Sequence, residues 1–219
     1  MQSTAEENYI KAIYKLSGGG DHAVSTTALS DTLETKPASV SDMLRKLSAK
    51  DLVHYVKYHG VQLTDEGKRV ALKIIRKHRL WEVFLVQKLH FTWDEVHEVA
   101  EQMEHVKSEL LIQRLDEFLG HPRIDPHGDP IPTEAGELPE VEQRTLASLS
   151  VEQKGVVCRV KDSQPAFLQY LNRVGIQIGT QLQVLDKIPY DNSLEISINK
   201  SKSVILSSDV LEKIFVINP

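Results

Sequence analysis

"VSTTALSDTLETKPASVSDMLRKLSAKDLVHYVKYHGVQLTDEGKRVA", residues 24–71, is the stretch on which the fold turns. "TTALSDTLE" reads as a short helix with Thr26 or Thr27 at its N-cap, and "ETK" as a tight turn. "PASVSDMLRKLSAKD" opens with Pro37, which suits a first helical turn: its ring presets φ, and its missing N–H would have had no partner there. Val40, Leu44 and Leu47 recur at helical spacing as a stripe for burial, leaving Ser39, Ser41, Asp42, Arg45 and Lys46 outward. "LVHYVKYHGVQLTDEGK" then reads as two short strands turning at "YHG", followed by a helix capped at Thr64. Helix, turn, helix and hairpin in this order make a winged helix-turn-helix, whose second helix enters the major groove of DNA while the hairpin tracks the backbone. The expected DNA contacts are Thr27, Ala38, Ser39, Ser41, Asp42, Arg45, Lys46 and, on the wing, Lys57. Their hydroxyls and cations suit phosphates and base edges, and an acid such as Asp42 can accept from cytosine. A winged helix used only for protein interaction is the competing reading.

Upstream, "ENYIKAIYKLS" sets Tyr9, Ile10, Ile13, Tyr14 and Leu16 at helical spacing, and "GGGD" ends that helix. The chain of 219 residues, 41% hydrophobic, can bury a core and is long enough for two or three small domains. Its net charge of −5 hides an asymmetry: residues 1–79 hold thirteen Lys/Arg against nine Asp/Glu, and residues 82–150 hold five against fifteen. A slightly basic head and an acidic middle suit a molecule that meets an anion at one end and a cation further along. The single cysteine, Cys158, excludes a disulfide framework and a multi-cysteine zinc site within one chain. The charged, amphipathic start is not a signal peptide, and no apolar run nears the roughly 18 residues of a membrane span. A cytoplasmic protein with no membrane partner is expected.

Downstream, "GKRVALKIIRKHRLWEVFLVQKLHF" continues as a long amphipathic helix with His78 and Glu82 four apart. "TWDEVHEVAEQMEHVKSELLIQRLDEFL" reads as a second helix, capped at Thr92 and antiparallel to the first. On it His97, Glu101, Glu104 and His105 are spaced by four, three and one, which puts them along one side. Such a face is either half of a metal site or an ordinary solvated face. Leu80, Val83, Phe84, Val106, Leu110, Leu111 and Leu115 exceed what one helix pair buries, so a homodimer interface is expected.

"RKHRLWEVFL", "VHEVAEQMEHVKSELLIQRL" and "PRIDPHGDPIP", in that order after a winged helix, resemble the diphtheria toxin repressor family across essentially the whole chain. The resemblance implies a homodimeric transcriptional repressor that binds palindromic operators near metal-uptake genes when Fe(II) or Mn(II) is present. It implies a primary metal site of Glu101, Glu104 and His105 with Asn8, and an ancillary site of His78, Glu82 and His97. Asn8 stands where the family's iron sensors have Met and its manganese sensors Asp, and Glu101 stands where iron sensors have Cys. Lys11 stands where two-ion manganese sensors carry a further acid. The oxygen and nitrogen donors suit Mn(II) or Fe(II), with manganese slightly favoured.

"HPRIDPHGDPIPTEAGELPEVEQ" is rich in Pro, Gly and acids and reads as a linker, with His121 and His127 as loop residues. Beyond it "GVVCRVKD", "TQLQVLDKI", "SLEISIN", "SVILS" and "KIFVI" read as five strands of an SH3-like barrel interrupted by the helix "PAFLQYLNRVG". "LNRVGIQIGTQLQVLD" resembles the FeoA-like C-terminal domain of longer family members. In some relatives that domain lends a carboxylate and an amide to the ancillary metal; the matching positions here are Lys161 and Gln164, with Asp162 adjacent. Cys158 is expected as a small buried hydrophobe. The expected architecture is mainly α with small β: a winged helix-turn-helix over 1–73, a helical metal-binding and dimerisation domain over 74–122, a linker over 123–144 and the SH3-like domain over 145–219. Enzymatic use of the His/Glu cluster is disfavoured, because "HEVAE" has Glu where HExxH needs its second His.

Overall fold

A computed structural model of the chain describes residues 2–56, 59–139 and 141–219. It divides into two compact units. The first comprises Met1–Trp81, Glu101–Arg114 and Ile131–Pro139; the second comprises Glu82–Ala100, Leu115–Pro130 and Glu140–Pro219.

In the first unit α1 (Thr4–Leu16) starts with a capping box, in which Ser3 and Glu6 each bond the other's backbone N–H. Helix α2 (Thr26–Thr32) is capped by Ser25, one residue before the expected Thr26 or Thr27, through its hydroxyl to the Ala28 N–H. Helix α3 (Pro37–Ala49) carries Pro37 in its first turn and buries Val40, Leu44 and Leu47 completely. Strands β1 (Val53–Val56) and β2 (Gly60–Leu63) pair antiparallel to form the wing. Val24 bridges to Val61, and Gly60 sits at φ +98° so close to the Val24 carbonyl that a Cβ would lie 2.7 Å from its oxygen. One core joins Ile10 and Ile13 of α1 to Leu29, Val40, Leu44, Leu47 and Val61. The predicted winged helix-turn-helix is therefore present, and its α1 shares a core with α3.

Helix α4 (Asp65–Leu89) is preceded by Thr64, whose hydroxyl accepts from the Gly67 N–H as expected. The second long helix differs from expectation. It breaks into α5 (Val96–Met103) and α6 (Glu109–Phe118), so Glu104 and His105 lie in a turn past the end of α5 rather than on a continuous helical face. Glu104 is fully buried, and its polar partners lie far away in sequence; these contacts outweigh the local helical periodicity. Of the surplus apolar side chains, Leu80, Val83 and Leu115 are buried, while Leu110 and Leu111 of α6 are exposed, as is Phe118 beside them on the same helix.

The second unit is built on a six-stranded antiparallel sheet in the order β3-β8-β4-β5-β6-β7. Its strands are β3 (Arg144–Thr145), β4 (Lys154–Val160), β5 (Gln181–Lys187), β6 (Leu194–Ile198), β7 (Lys202–Leu206) and β8 (Ile214–Ile217). The five expected strands are all there, and the two-residue β3 adds a sixth. Helix α7 (Pro165–Val174) buries Leu168 and Leu171 against the sheet's core of Val157, Val160, Val184, Ile196 and Val216. The stretch expected as a linker contains the buried residues Asp125, His127 and Ile131. Among the described residues no helix is long and apolar enough to cross a membrane.

Candidate metal centre

Two polar clusters stand out, one in each unit. In the first, α1 presents Glu7 and Lys11, four residues apart and so on one face. The Lys11 ammonium lies 2.7 Å from Glu101 Oε1, 2.5 Å from Glu104 Oε2 and 3.5 Å from His78 Nδ1. His78 Nδ1 is also 2.7 Å from Glu104 Oε2. His105 Nδ1 lies 2.6 Å from Glu7 Oε2, and its Nε2 faces Glu104 Oε1 at 3.8 Å. Glu104 is 0% exposed, and among the described residues its Oε1 has no hydrogen-bond partner. Burial pushes the Glu101 carboxyl up, but the Lys11 charge and hydrogen bond, with His78 and Lys15 behind them, bring it down to about 2.

An orphaned, buried carboxylate oxygen is costly unless something answers it. Two ligand atoms that share a first-row divalent ion, at bonds of about 2.0–2.2 Å, lie at most about 4.4 Å apart. Glu104 Oε1 and His105 Nε2 meet that limit, and the donors around them are oxygen and nitrogen, so the residues fit Mn(II) or Fe(II). The expected primary residues Glu101, Glu104 and His105 are thus brought together. Asn8 is half-buried, and the acid that meets His105 is its neighbour Glu7. The Glu7–Lys11 spacing is the signal in the sequence that could have found it.

The second cluster lies within the second unit. Glu82 Oε1 is 3.2 Å from His97 Nδ1, and Glu82 Oε2 is 3.6 Å from His127 Nδ1. Ligand atoms of Glu82, Asp125 and His127 all lie within 4.8 Å of one another, and all three residues are buried. His127 lies in a turn of the expected linker, as expected of a loop residue, but it is buried. The Asp125 carboxylate accepts from the His127 and Asp129 backbone N–H groups, and the His127 carbonyl accepts from the Val160 N–H of β4. Gly128 follows at φ +85°, so tight against β4 that a Cβ would lie 1.9 Å from the Cys158 carbonyl oxygen. His127 Nε2 is 2.8 Å from the Trp93 carbonyl oxygen. Burial pushes the His127 imidazole down, but the Glu82 carboxylate overrides it, with help from Asp125 and the Trp93 carbonyl, and raises it to about 9.

Of the expected ancillary residues, Glu82 and His97 belong to this second cluster, whereas His78 pairs with Glu104 in the first. Gln164 is exposed at the N-cap of α7, where its backbone N–H donates to Asp162 Oδ1. Asp162 in turn lies 3.4 Å from the Lys213 ammonium. Cys158 is only half-buried. On the winged helix Thr27, Ala38, Ser39, Asp42, Arg45 and Lys46 are exposed, Ser41 is half-buried, and Asp42 pairs with Arg45 at 3.2 Å. Lys57 lies outside the described residues.

Three family models match the chain in tandem. They are an iron-dependent repressor N-terminal DNA-binding domain over residues 1–61, an iron-dependent repressor metal-binding and dimerisation domain over 64–133, and a FeoA domain over 144–218. Among solved structures, a manganese-dependent transcriptional repressor in complex with manganese is 35% identical and superposes with a TM-score of 0.87, over 98% of this chain and all of that one. The iron-dependent repressor IdeR of Mycobacterium bovis is 33% identical over 136 residues, 61% of this chain and 59% of its own length. The chain thus spans less than two thirds of that curated relative. The diphtheria toxin repressor of Corynebacterium glutamicum is 27% identical over 191 residues, 83% of each protein.

Proposed function

The chain belongs to the iron-dependent repressor family, and from that premise we propose that it is a metal-dependent transcriptional repressor. It binds operator DNA of metal-uptake genes as a homodimer, with Mn(II) favoured over Fe(II). The observation that carries this reading is Glu104 Oε1, a buried oxygen without a hydrogen-bond partner among the described residues, held opposite His105 Nε2. Glu101, Glu104 and His105 would hold the ion, with Glu7 orienting the His105 ring through its Nδ1, and the ion would supply positive charge to this cluster of carboxylates when bound. The Glu82, Asp125 and His127 group would hold a second. Donors free of sulfur suit manganese, although affinity order lets zinc, cobalt and nickel bind in vitro.

The DNA response follows from what α1 does on its two faces. Glu7 and Lys11 sit in the cluster, while Ile10 and Ile13 pack in the core that seats Val40, Leu44 and Leu47 of α3. Charge balance at the cluster therefore biases how α1, and through it α3, is held. An ion that favours the DNA-competent seating shifts the population by its differential affinity. Exposed Ser39, Arg45 and Lys46 then meet base edges and phosphates. Exposed Leu110, Leu111 and Phe118 provide apolar surface for the second copy.

The test is a fluorescence-anisotropy titration of a promoter fragment under Mn(II), anaerobic Fe(II) and chelator at one fixed salt concentration. Binding at least tenfold tighter with Mn(II) than with chelator is expected. Equal affinity in all three conditions overturns the proposal.

A further inference from the structure

Lys11 is the residue the metal-centre reading does not absorb. Its side chain is 6% exposed, and an ammonium taken that far from water is tolerated only with opposite charges around it. Its partners are Glu101 Oε1 and Glu104 Oε2, oxygens from two of the three side chains assigned to the ion. We propose that Lys11 is a built-in counter-cation of the first cluster, whose ammonium holds the carboxylate oxygens a divalent ion needs, so that this side chain sets the ion concentration at which the protein responds. The inference rests on the metal-centre reading.

The charges define the competition. Glu7, Glu101 and Glu104 bring three negative charges, and Lys11 cancels one. Without Lys11 the three carboxylates of the metal-free cluster would be answered only by His78, His105 and the more distant Lys15, and would attract a cation more strongly. With it the metal-free state has a partner for Glu101 and for one oxygen of Glu104, which narrows the advantage of the loaded state. A substitution at Lys11 must therefore move two quantities in opposite directions: ion affinity rises and metal-free stability falls. A lysine that only packs against its neighbours would lower both.

The experiment is calorimetric titration of Mn(II) into the metal-free full chain, wild type against Lys11→Gln, with Lys11→Arg as the charge-retaining control. Heats from the second cluster are common to all three proteins. Lys11→Gln should bind Mn(II) with a Kd at least tenfold lower at the first cluster and melt at a lower temperature without metal; Lys11→Arg should stay near wild type. An unchanged or raised Kd in Lys11→Gln overturns the inference and leaves the metal reading standing. No Mn(II) binding by either protein overturns both. Should Lys11→Gln fail to fold, the wild type still decides: acylation of the Lys11 amine, read by peptide mass spectrometry, should rise several-fold when Mn(II) is added. Labelling that is unchanged or lower overturns the inference.

Discussion

The cluster around Glu104 and the cluster around Glu82 contain the same kinds of group and handle their charge differently. In the first, a lysine ammonium lies between two carboxylates, and Glu101 is held down at about 2. In the second there is no lysine among the contacts described, and an imidazole takes the positive role, with His127 raised to about 9 by Glu82. An ammonium is a compact charge on a flexible stem, whereas an imidazole is the side chain whose ordinary charge change lies nearest neutral pH. The first cluster is therefore a contest between cations for the same oxygens, and the second is a contest between an ion and a proton.

The largest effect that could break this contrast comes from Glu104→Gln in the metal-free protein. It removes one partner of a buried pair and leaves Lys11 with a single carboxylate, so a loss of about 3–5 kcal/mol is expected in urea denaturation. A loss below about 1 kcal/mol would show that the Lys11 pair does not hold the first cluster together.

A middle-sized effect sharpens the contrast through pH. His127 is raised above its ordinary value of 6.5, so its contribution is complete below that pH and is lost as pH rises through about 9. Glu101 is lowered, so its contribution is complete above about 4.5 and is lost as pH falls toward about 2. Metal-free melting curves should therefore show an alkaline limb worth about 2 kcal/mol that His127→Ala flattens, while the acid limb persists. Survival of the alkaline limb in His127→Ala would assign it elsewhere. The smallest effect is expected at Lys15, which lies 3.9 Å from Glu101 with its side chain 54% exposed. Lys15→Ala should change metal-free stability by no more than about 0.5 kcal/mol, because solvent screens exposed pairs. A larger change would mean that Lys11 is not the dominant cation.

What the chain reveals before folding follows the same division between local and distant causes. Helix α3 was legible because everything that makes it is close by: Pro37 at its start and Val40, Leu44 and Leu47 at helical spacing. The wing was legible from two short strands around a turn. The break after Met103 was not, since apolar spacing runs through it and only the pull of Lys11 and His78 on Glu104 reveals the turn. Glu101, Glu104 and His105 could be named by resemblance, whereas Glu7 had only its helical spacing to Lys11 to announce it, and its contact with His105 comes from a residue far along the chain. His127 read as a loop residue among prolines and glycines, and it does lie in a turn, but a buried one. Its burial depends on β4, some thirty residues further along the chain, which no local pattern discloses.

The tight seat of Gly128 gives geneticists a handle that spares every donor atom. An alanine there would drive its methyl group into the Cys158 carbonyl and lift the neighbouring imidazole away from Glu82. A strain carrying that one allele would be blind at the second cluster while the first kept all its ligands, separating the physiological contributions of the two.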